Sequence, residues 1–205
     1  MDSTAATPQR LTDRKRAAIV AAAIDEFLAA GFDATSMDRI AASASVSKRT
    51  VYNHFPSKEA LFAAILRQLW DASAGGDAPA YRANEPLRAQ LIDLLMRKLR
   101  LLNDEAFLAL ARVAIAAGIH SPERARDMVA RIGEREEDLT IWVRTAAADA
   151  RLKTPDPAFA AQQLHGLVKA FAFWPQVTMG QPPLDEAQQR QVAESSADLF
   201  LARYA

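Results

Sequence analysis

The chain has 205 residues, half of them hydrophobic, no cysteine, and equal numbers of basic and acidic residues, 25 of each. That length and apolar content describe a globular chain with a substantial core, and the absence of cysteine excludes disulfides and thiolate-bound metals. No apolar run approaches the ~20 residues that span a bilayer, and residues 1–16 are polar with no apolar signal core, so the expected setting is the cytoplasm, with no membrane partner.

Alanine is abundant, glycines number only seven, and no long apolar–polar alternation argues for a sheet. The expected fold is therefore all-α, with about nine helices and no internal repeat. Residues 1–11 read as a flexible arm. A first helix, capped by Asp13, should run to about residue 30, with Ile19, Ala23 and Phe27 on one stripe and Gly31 as the stop. Thr35 or Ser36 should cap a second helix over 37–44. Ser47 should cap a third over 48–54, and Ser57 a fourth ending near residue 72, with Glu59 in its first turn. The stretch 73–80 is a turn-rich break. Further helices are expected over 85–103, 104–119, 122–151, 156–174 and 185–204, with Ser121 and Pro122 as a start signal for the third of these.

Zero net charge argues at first against a nucleic-acid partner, but the distribution matters more than the total. Residues 34–58 hold four basic residues (Arg39, Lys48, Arg49 and Lys58) against one acid, Asp38, for a balance of +3, and Arg14, Lys15 and Arg16 lie just before. On charge alone this fits a solvated helix face as well as it fits a polyanion-binding surface.

The informative segment is 35–61. Two short helices are joined by a turn around Ala44, Ser45 and Val46, and Ile40, Ala41, Val46, Val51 and Phe55 can pack them against Phe27, Leu61 and Phe62. This is a helix-turn-helix arrangement, whose second helix can enter the DNA major groove. Lys48, Arg49, Thr50, Tyr52, Asn53 and His54 remain outward on that helix. Such side chains suit phosphates and base edges. An ordinary surface helix would more often show Glu–Lys pairs.

This stretch resembles the N-terminal signature of the TetR/AcrR family of transcriptional repressors. The match runs over about 16–66 and includes Ala23, Phe27, Gly31-Phe32, Thr35-Ser36, Ile40-Ala41, Val46-Ser47-Lys48, Val51-Tyr52-Asn53-His54-Phe55 and Ser57-Lys58-Glu59-Ala60-Leu61. One departure is Ser45, where the family usually has glycine; serine in a left-handed turn costs on the order of 1 kcal/mol. The resemblance implies a helix-turn-helix domain over 12–72 that binds a double-stranded, near-palindromic operator. It also implies a helical ligand-sensing and dimerising domain over 73–205. Tyr52, His54 and Lys58 would contact phosphates, joined by Thr35, Ser36 and Ser47 from helix starts. Lys48, Arg49, Thr50 and Asn53 would read bases. Repression is the family default; the residues themselves do not distinguish it from activation.

Beyond residue 72 the signal is less specific, with a weak resemblance to the AefR-like branch. Two apolar stripes stand out: Ala160, Leu164, Leu167, Val168 and Phe171, then Val192, Leu199 and Phe200. They fit either an internal core or a four-helix dimer interface, and the resemblance favours the interface, with Leu164, Val168, Phe171, Val192, Leu199 and Phe200 across it. Phe107, Trp142, Phe171 and Trp174, with Phe159, Phe173, Met96 and Met128 nearby, supply apolar surface for a small-molecule effector, and Arg112 and His165 could orient a polar group on it. The same residues would also serve as ordinary core, and His165 as a satisfied core histidine. No nucleophile elbow, glycine-rich phosphate loop or metal-binding histidine pair occurs, so no catalytic residue, cofactor or metal is expected. The competing reading is a helical protein-interaction scaffold that keeps the helix-turn-helix shape without binding DNA; the intact Lys48, Tyr52, His54 and Lys58 argue against it.

Overall fold

The computed structural model describes residues 8–74, 80–119, 121, 123, 126 and 138–205. Among these residues there are ten helices and no strand: α1 Pro8–Ala34, α2 Met37–Ser43, α3 Lys48–His54, α4 Lys58–Ala74, α5 Leu87–Leu102, α6 Glu105–Ile119, α7 Asp138–Ala148, α8 Pro157–Ala172, α9 Trp174–Thr178 and α10 Glu186–Tyr204. The all-α expectation therefore holds. None of the described helices is long and apolar enough to cross a membrane. The chain divides into two compact units, Met1–Arg67 with Arg112–Ile132 and Gln68–Ala111 with Gly133–Ala205.

In the first unit the core is aromatic. Phe27 and Phe32 stack at 5.5 Å, and Phe62 meets them edge-on at 5.0 and 5.4 Å. Ile19, Ile40, Val51, Phe55 and Leu61 are buried with them. Gly31, at φ +79°, breaks the helical backbone near the end of α1 as expected, because a left-handed residue there costs glycine nothing. The start of α1 differs from expectation: Pro8 already lies in the helix, so Asp13 is an interior residue and not the cap. Of the expected arm, residues 1–7 lie outside the described residues and 8–11 are helical.

In the second unit α5 packs on α10, α7 on α8, and α8 on both α5 and α10. Leu91, Leu95, Leu99, Trp142, Val143, Leu164, Val168, Ala193, Ala197 and Phe200 form a continuous buried cluster. Polar clips hold the connections to it. The buried Gln90 amide donates to the carbonyls of Arg82 (2.9 Å) and Glu85 (3.2 Å) and accepts from the Arg82 backbone N–H at 2.8 Å and the Trp142 indole N–H at 3.3 Å. Asn103 exchanges two hydrogen bonds with the backbone of Leu184. Arg88 on α5 forms a two-pronged pair with Asp198 on α10, which holds that carboxyl below the usual carboxylate range.

Boundaries in this unit move where proline or a cap overrides the apolar pattern. Helix α5 starts after Pro86 rather than at residue 85. The expected helix 156–174 is broken at Phe173, whose backbone (φ −137°, ψ −63°) leaves the helix, and Pro175 opens the short α9 in its place. Asp156 and Asp185 cap α8 and α10, the latter in a capping box with Gln188. Of the expected helix 122–151, residues 122, 124, 125 and 127–137, with Pro122 and Met128 among them, lie outside the described residues.

Candidate nucleic-acid interface

The two helices of the expected reading head are seven residues each, too short to persist alone, so caps and packing must define them. The Ser36 hydroxyl accepts from the Arg39 N–H at 3.2 Å and the Ser47 hydroxyl from the Thr50 N–H at 3.1 Å. Ser47 also bonds the Thr50 hydroxyl at 2.8 Å. Between the helices Ser45 sits at φ +54°. Its N–H donates to Ala42 O and that of Val46 to Ala41 O, at 3.1 and 3.0 Å. This pair of reversed bonds is a Schellman stop, which demands a left-handed residue at Ser45. The expectation from the missing turn glycine is thereby met by serine under strain.

This corner, packed on α1, leaves Lys48, Arg49, Tyr52 and Asn53 exposed on α3, with Thr50 and His54 half-buried and Val51 turned into the core. Those six are the side chains the sequence assigned to the outward face. Ser36 and Ser47 are exposed at the two helix starts, where free N–H groups also point outward.

Two of the expected contact residues are engaged elsewhere. Thr35 is 1% exposed, and its hydroxyl is shared between the carbonyls of Glu26 (3.0 Å) and Gly31 (2.8 Å). It closes the end of α1 and is hidden from solvent. The Lys58 ammonium donates to the carbonyls of Phe32 (2.6 Å) and Thr35 (2.7 Å), with a longer approach to Asp33 (3.4 Å), and lies 4.5 Å over the Phe32 ring. Its donors are thereby engaged by carbonyls at the end of α1 and the start of α2.

The remaining cations are also mostly paired. Arg39 meets Glu26, whose side chain is largely buried, at 2.7 Å, and Ser43 donates to the same carboxylate at 2.6 Å. Lys48 is held by both oxygens of Asp38, at 2.8 and 3.0 Å, and the hydrogen bond and charge of Asp38 raise its pKa above the ordinary lysine value. Of the four basic residues in 34–58, Arg49 alone has no partner among the described residues. Sequence reasoning missed that Glu26 pairs with Arg39 and Asp38 with Lys48, because each acid reaches its partner from another helix. It also missed that the Arg16 guanidinium covers the Phe55 ring at 5.1 Å.

Of the residues assigned to the effector, all but Arg112 belong to the second unit, and they differ in burial. Trp142 is buried core, against Gln90 and the edge of Tyr81. Phe107 is half-buried beside Phe173 at 6.4 Å, and Phe173 in turn meets Trp174. His165 is half-buried with Nε2 3.5 Å from the Thr140 hydroxyl. Phe171 is 57% and Trp174 47% exposed. Arg112 is exposed and belongs to the first unit.

The dimer assignment needs a sharper correction. Leu164, Val168 and Phe200 are buried within their own unit, because their stripe is the side of α8 and α10 that faces α5. Val192 is half-buried against the same cluster. Only Phe171 and Leu199, the latter 59% exposed, present apolar surface outward. Leu199 lies in a shallow groove along the outer side of α10 with Arg190, Gln191, Glu194, Ser195 and Ala202.

Comparison with known proteins decides the family. A model described as bacterial regulatory proteins of the tetR family matches residues 19–65, and one described as the AefR-like transcriptional repressor C-terminal domain matches 89–205. The chain belongs to the TetR family of transcriptional regulators. It is 30% identical over 172 residues to the HTH-type transcriptional regulator RutR of Escherichia coli K12, covering 82% of this chain and 79% of that one. A TetR family regulator from Pseudomonas syringae pv. tomato is 53% identical, with a TM-score of 0.76 over 94% of this chain and 97% of that one. The solved Flavonoid-responsive Regulator FrrA is 32% identical, with a TM-score of 0.73 over 93% and 96%. As a member of that family the chain is a DNA-binding transcriptional regulator.

Proposed function

We propose that the chain is a cytoplasmic, non-catalytic repressor that binds a near-palindromic operator as a dimer and leaves it when a small amphipathic effector binds the second unit. The observation that carries this is the outward face of α3: Arg49, Tyr52 and Asn53 exposed on a doubly capped corner packed against an aromatic core. A three-helix head makes too small a contact for tight binding, so two heads on a two-fold axis are needed. The outer side of α8, where Phe159, Gly166, Ala170 and Phe171 are exposed, and that of α10 around Leu199 supply an apolar surface with small residues for close helix approach. An effector must favour the released state to act at all. The aromatic cluster of Phe107, Phe173 and Trp174 favours a ring-bearing effector, as does the similarity to a regulator named for its flavonoid response.

The test is binding to fragments selected from the organism's own genome, measured at several salt concentrations. Arg49→Ala should flatten the slope of log affinity against log salt by about 0.9 per engaged head. Asn53→Ala should leave the slope alone and cost about 1–3 kcal/mol of preference at one position per half-site. Wild-type protein that binds operator and scrambled DNA equally, or sediments as a monomer at micromolar concentration, would overturn the proposal.

A further inference from the structure

Neutralised phosphates set the strength of sequence-independent DNA binding, so the charge a head can offer counts for more than its formal charge. In this head most cations of 34–58 come with a partner. Arg39 meets Glu26, Lys48 brings the opposite charge of Asp38 with it, and Lys58 donates to the carbonyls of Phe32 and Thr35. Beside Arg49 on α3 there remains the run Arg14, Lys15 and Arg16 on α1, all three exposed. The helix-turn-helix corner itself gives that run no role. Arg16 differs from its two neighbours. It stands three and four residues before Ile19 and Val20, both buried, so it continues the inward stripe of α1 past the end of the core. There its guanidinium lies 5.1 Å over the ring of Phe55, the residue that closes α3. No hydrogen bond or ion pair engages it among the described residues, and Asp13, three residues earlier on α1, forms no pair with it.

We propose that Arg16 is a phosphate contact of the head, held by Phe55 at the end of α3 opposite to Arg49. The proposal rests on the reading that α3 enters DNA. A helix of seven residues is about 10 Å long, and the major groove is about 12 Å wide. With α3 in the groove, groups beyond its two ends stand beside the sugar–phosphate backbone rather than over base edges. Arg49 lies in the first turn of α3 and Arg16 beside its last, so the two cations bracket the helix. An aromatic ring attracts the charge of a guanidinium without taking up its N–H donors as a carbonyl or carboxylate does. Arg16 therefore keeps its fork of donors for a phosphate, which arginine can meet with two parallel hydrogen bonds. Phe55 is buried in the core, so the side chain resting on it is placed before DNA arrives and loses less freedom on binding. Lys15 lacks this support, since it is turned about 100° away around α1.

Arg16→Met keeps an unbranched stem over Phe55 and removes the charge. In DNA binding measured at several salt concentrations it should flatten the slope of log affinity against log salt by about 0.9 per engaged head. Operator and scrambled DNA should lose affinity by the same factor, because a phosphate carries no sequence. Arg16→Lys keeps the charge and should hold the wild-type slope. Lys15→Met should flatten it clearly less than Arg16→Met does. Thermal unfolding identifies folded protein, and Arg16→Gln repeats the test if the methionine variant does not fold. An unchanged slope in Arg16→Met, an equal flattening in Arg16→Lys, or failure of both uncharged variants to fold overturns the proposal and leaves Arg16 as a cover for Phe55. An equal flattening in Lys15→Met also overturns it, since the effect then belongs to diffuse charge on α1. Arg49→Ala separates this proposal from the reading it rests on. If that variant flattens the slope and Arg16→Met does not, α3 still meets DNA and only the role of Arg16 falls. Wild-type protein without salt-dependent DNA binding overturns the DNA-binding reading itself.

Discussion

The head and the body hold their helices by different means. In the head, α2 and α3 are seven residues each, and their starts and the turn between them are written in adjacent polar side chains: Ser36, Ser47 and the left-handed Ser45. In the body, α5, α8 and α10 run for 16, 16 and 19 residues, and apolar stripes with distant clips such as Gln90–Trp142 and Asn103–Leu184 hold them. The difference teaches which signals travel locally. A cap is read within three residues of where it acts. A stripe says that a helix has an inside without saying which neighbour that inside meets. On α8, Ala160, Ala161, Leu164, Leu167, Val168 and Phe171 share one side, yet Phe171 is exposed while Leu164 and Val168 are buried, so periodicity alone does not say which of them meets a neighbour.

The sharpest way to break this comparison is to cut the same residue type on the two faces. Leu164→Ala removes a fully buried side chain and should cost about 2–5 kcal/mol of folding stability in denaturant titrations. Leu199→Glu, on the exposed side of α10, should leave the fold within about 0.5 kcal/mol when measured on the monomer, while the sedimenting mass falls from twice the chain mass to once. Equal losses of folding stability in both would show that the outward face of α10 belongs to the core after all.

A smaller effect tests how the head uses its lysines. Lys58→Met leaves the carbonyls of Phe32 and Thr35 without their donor and should cost about 1–3 kcal/mol of stability, read from thermal or denaturant unfolding. Once protein that remains folded is compared, its salt slope on DNA should match wild type. A slope flattened by about one unit per head, with stability intact, would restore Lys58 to the phosphate contact that the family pattern implied.

The smallest effect concerns the strained corner. Ser45→Gly relieves a left-handed serine and should stabilise the head by up to about 1 kcal/mol, raising the melting temperature by about 2–4 °C. No comparable gain is expected at Gly31, where glycine already occupies the positive-φ position. A loss at Ser45→Gly would mean that the unfolded chain's extra freedom outweighs the strain.

How much of the candidate interface was legible follows from the same division. The caps, the turn residue and the outward set Lys48, Arg49, Tyr52 and Asn53 follow from residues within one or two turns of each other. Val51 and Phe55 turn inward by the helical period alone. The roles of Thr35 and Lys58 did not follow, because each is decided by carbonyls of α1 that are 4 to 26 residues away in the chain. Likewise the +3 balance of residues 34–58 described formal charges but not available ones, since Glu26 lies outside that window and Asp38 reaches across the turn.

By itself, then, the sequence determined an all-helical chain, a helix-turn-helix corner with its caps and strained turn, and the outward residues of α3. Each of these is a property of short windows, where dihedral preference, hydrogen-bonding reach and the 3.6-residue period act directly. Only the tertiary structure decided which cations are spent on the protein itself, which side of α8 and α10 is core, and that Phe173 and Pro175 split one expected helix into two. Those outcomes depend on which groups meet across elements, and a free amino group or an apolar stripe has no preference among partners until the fold brings one within reach.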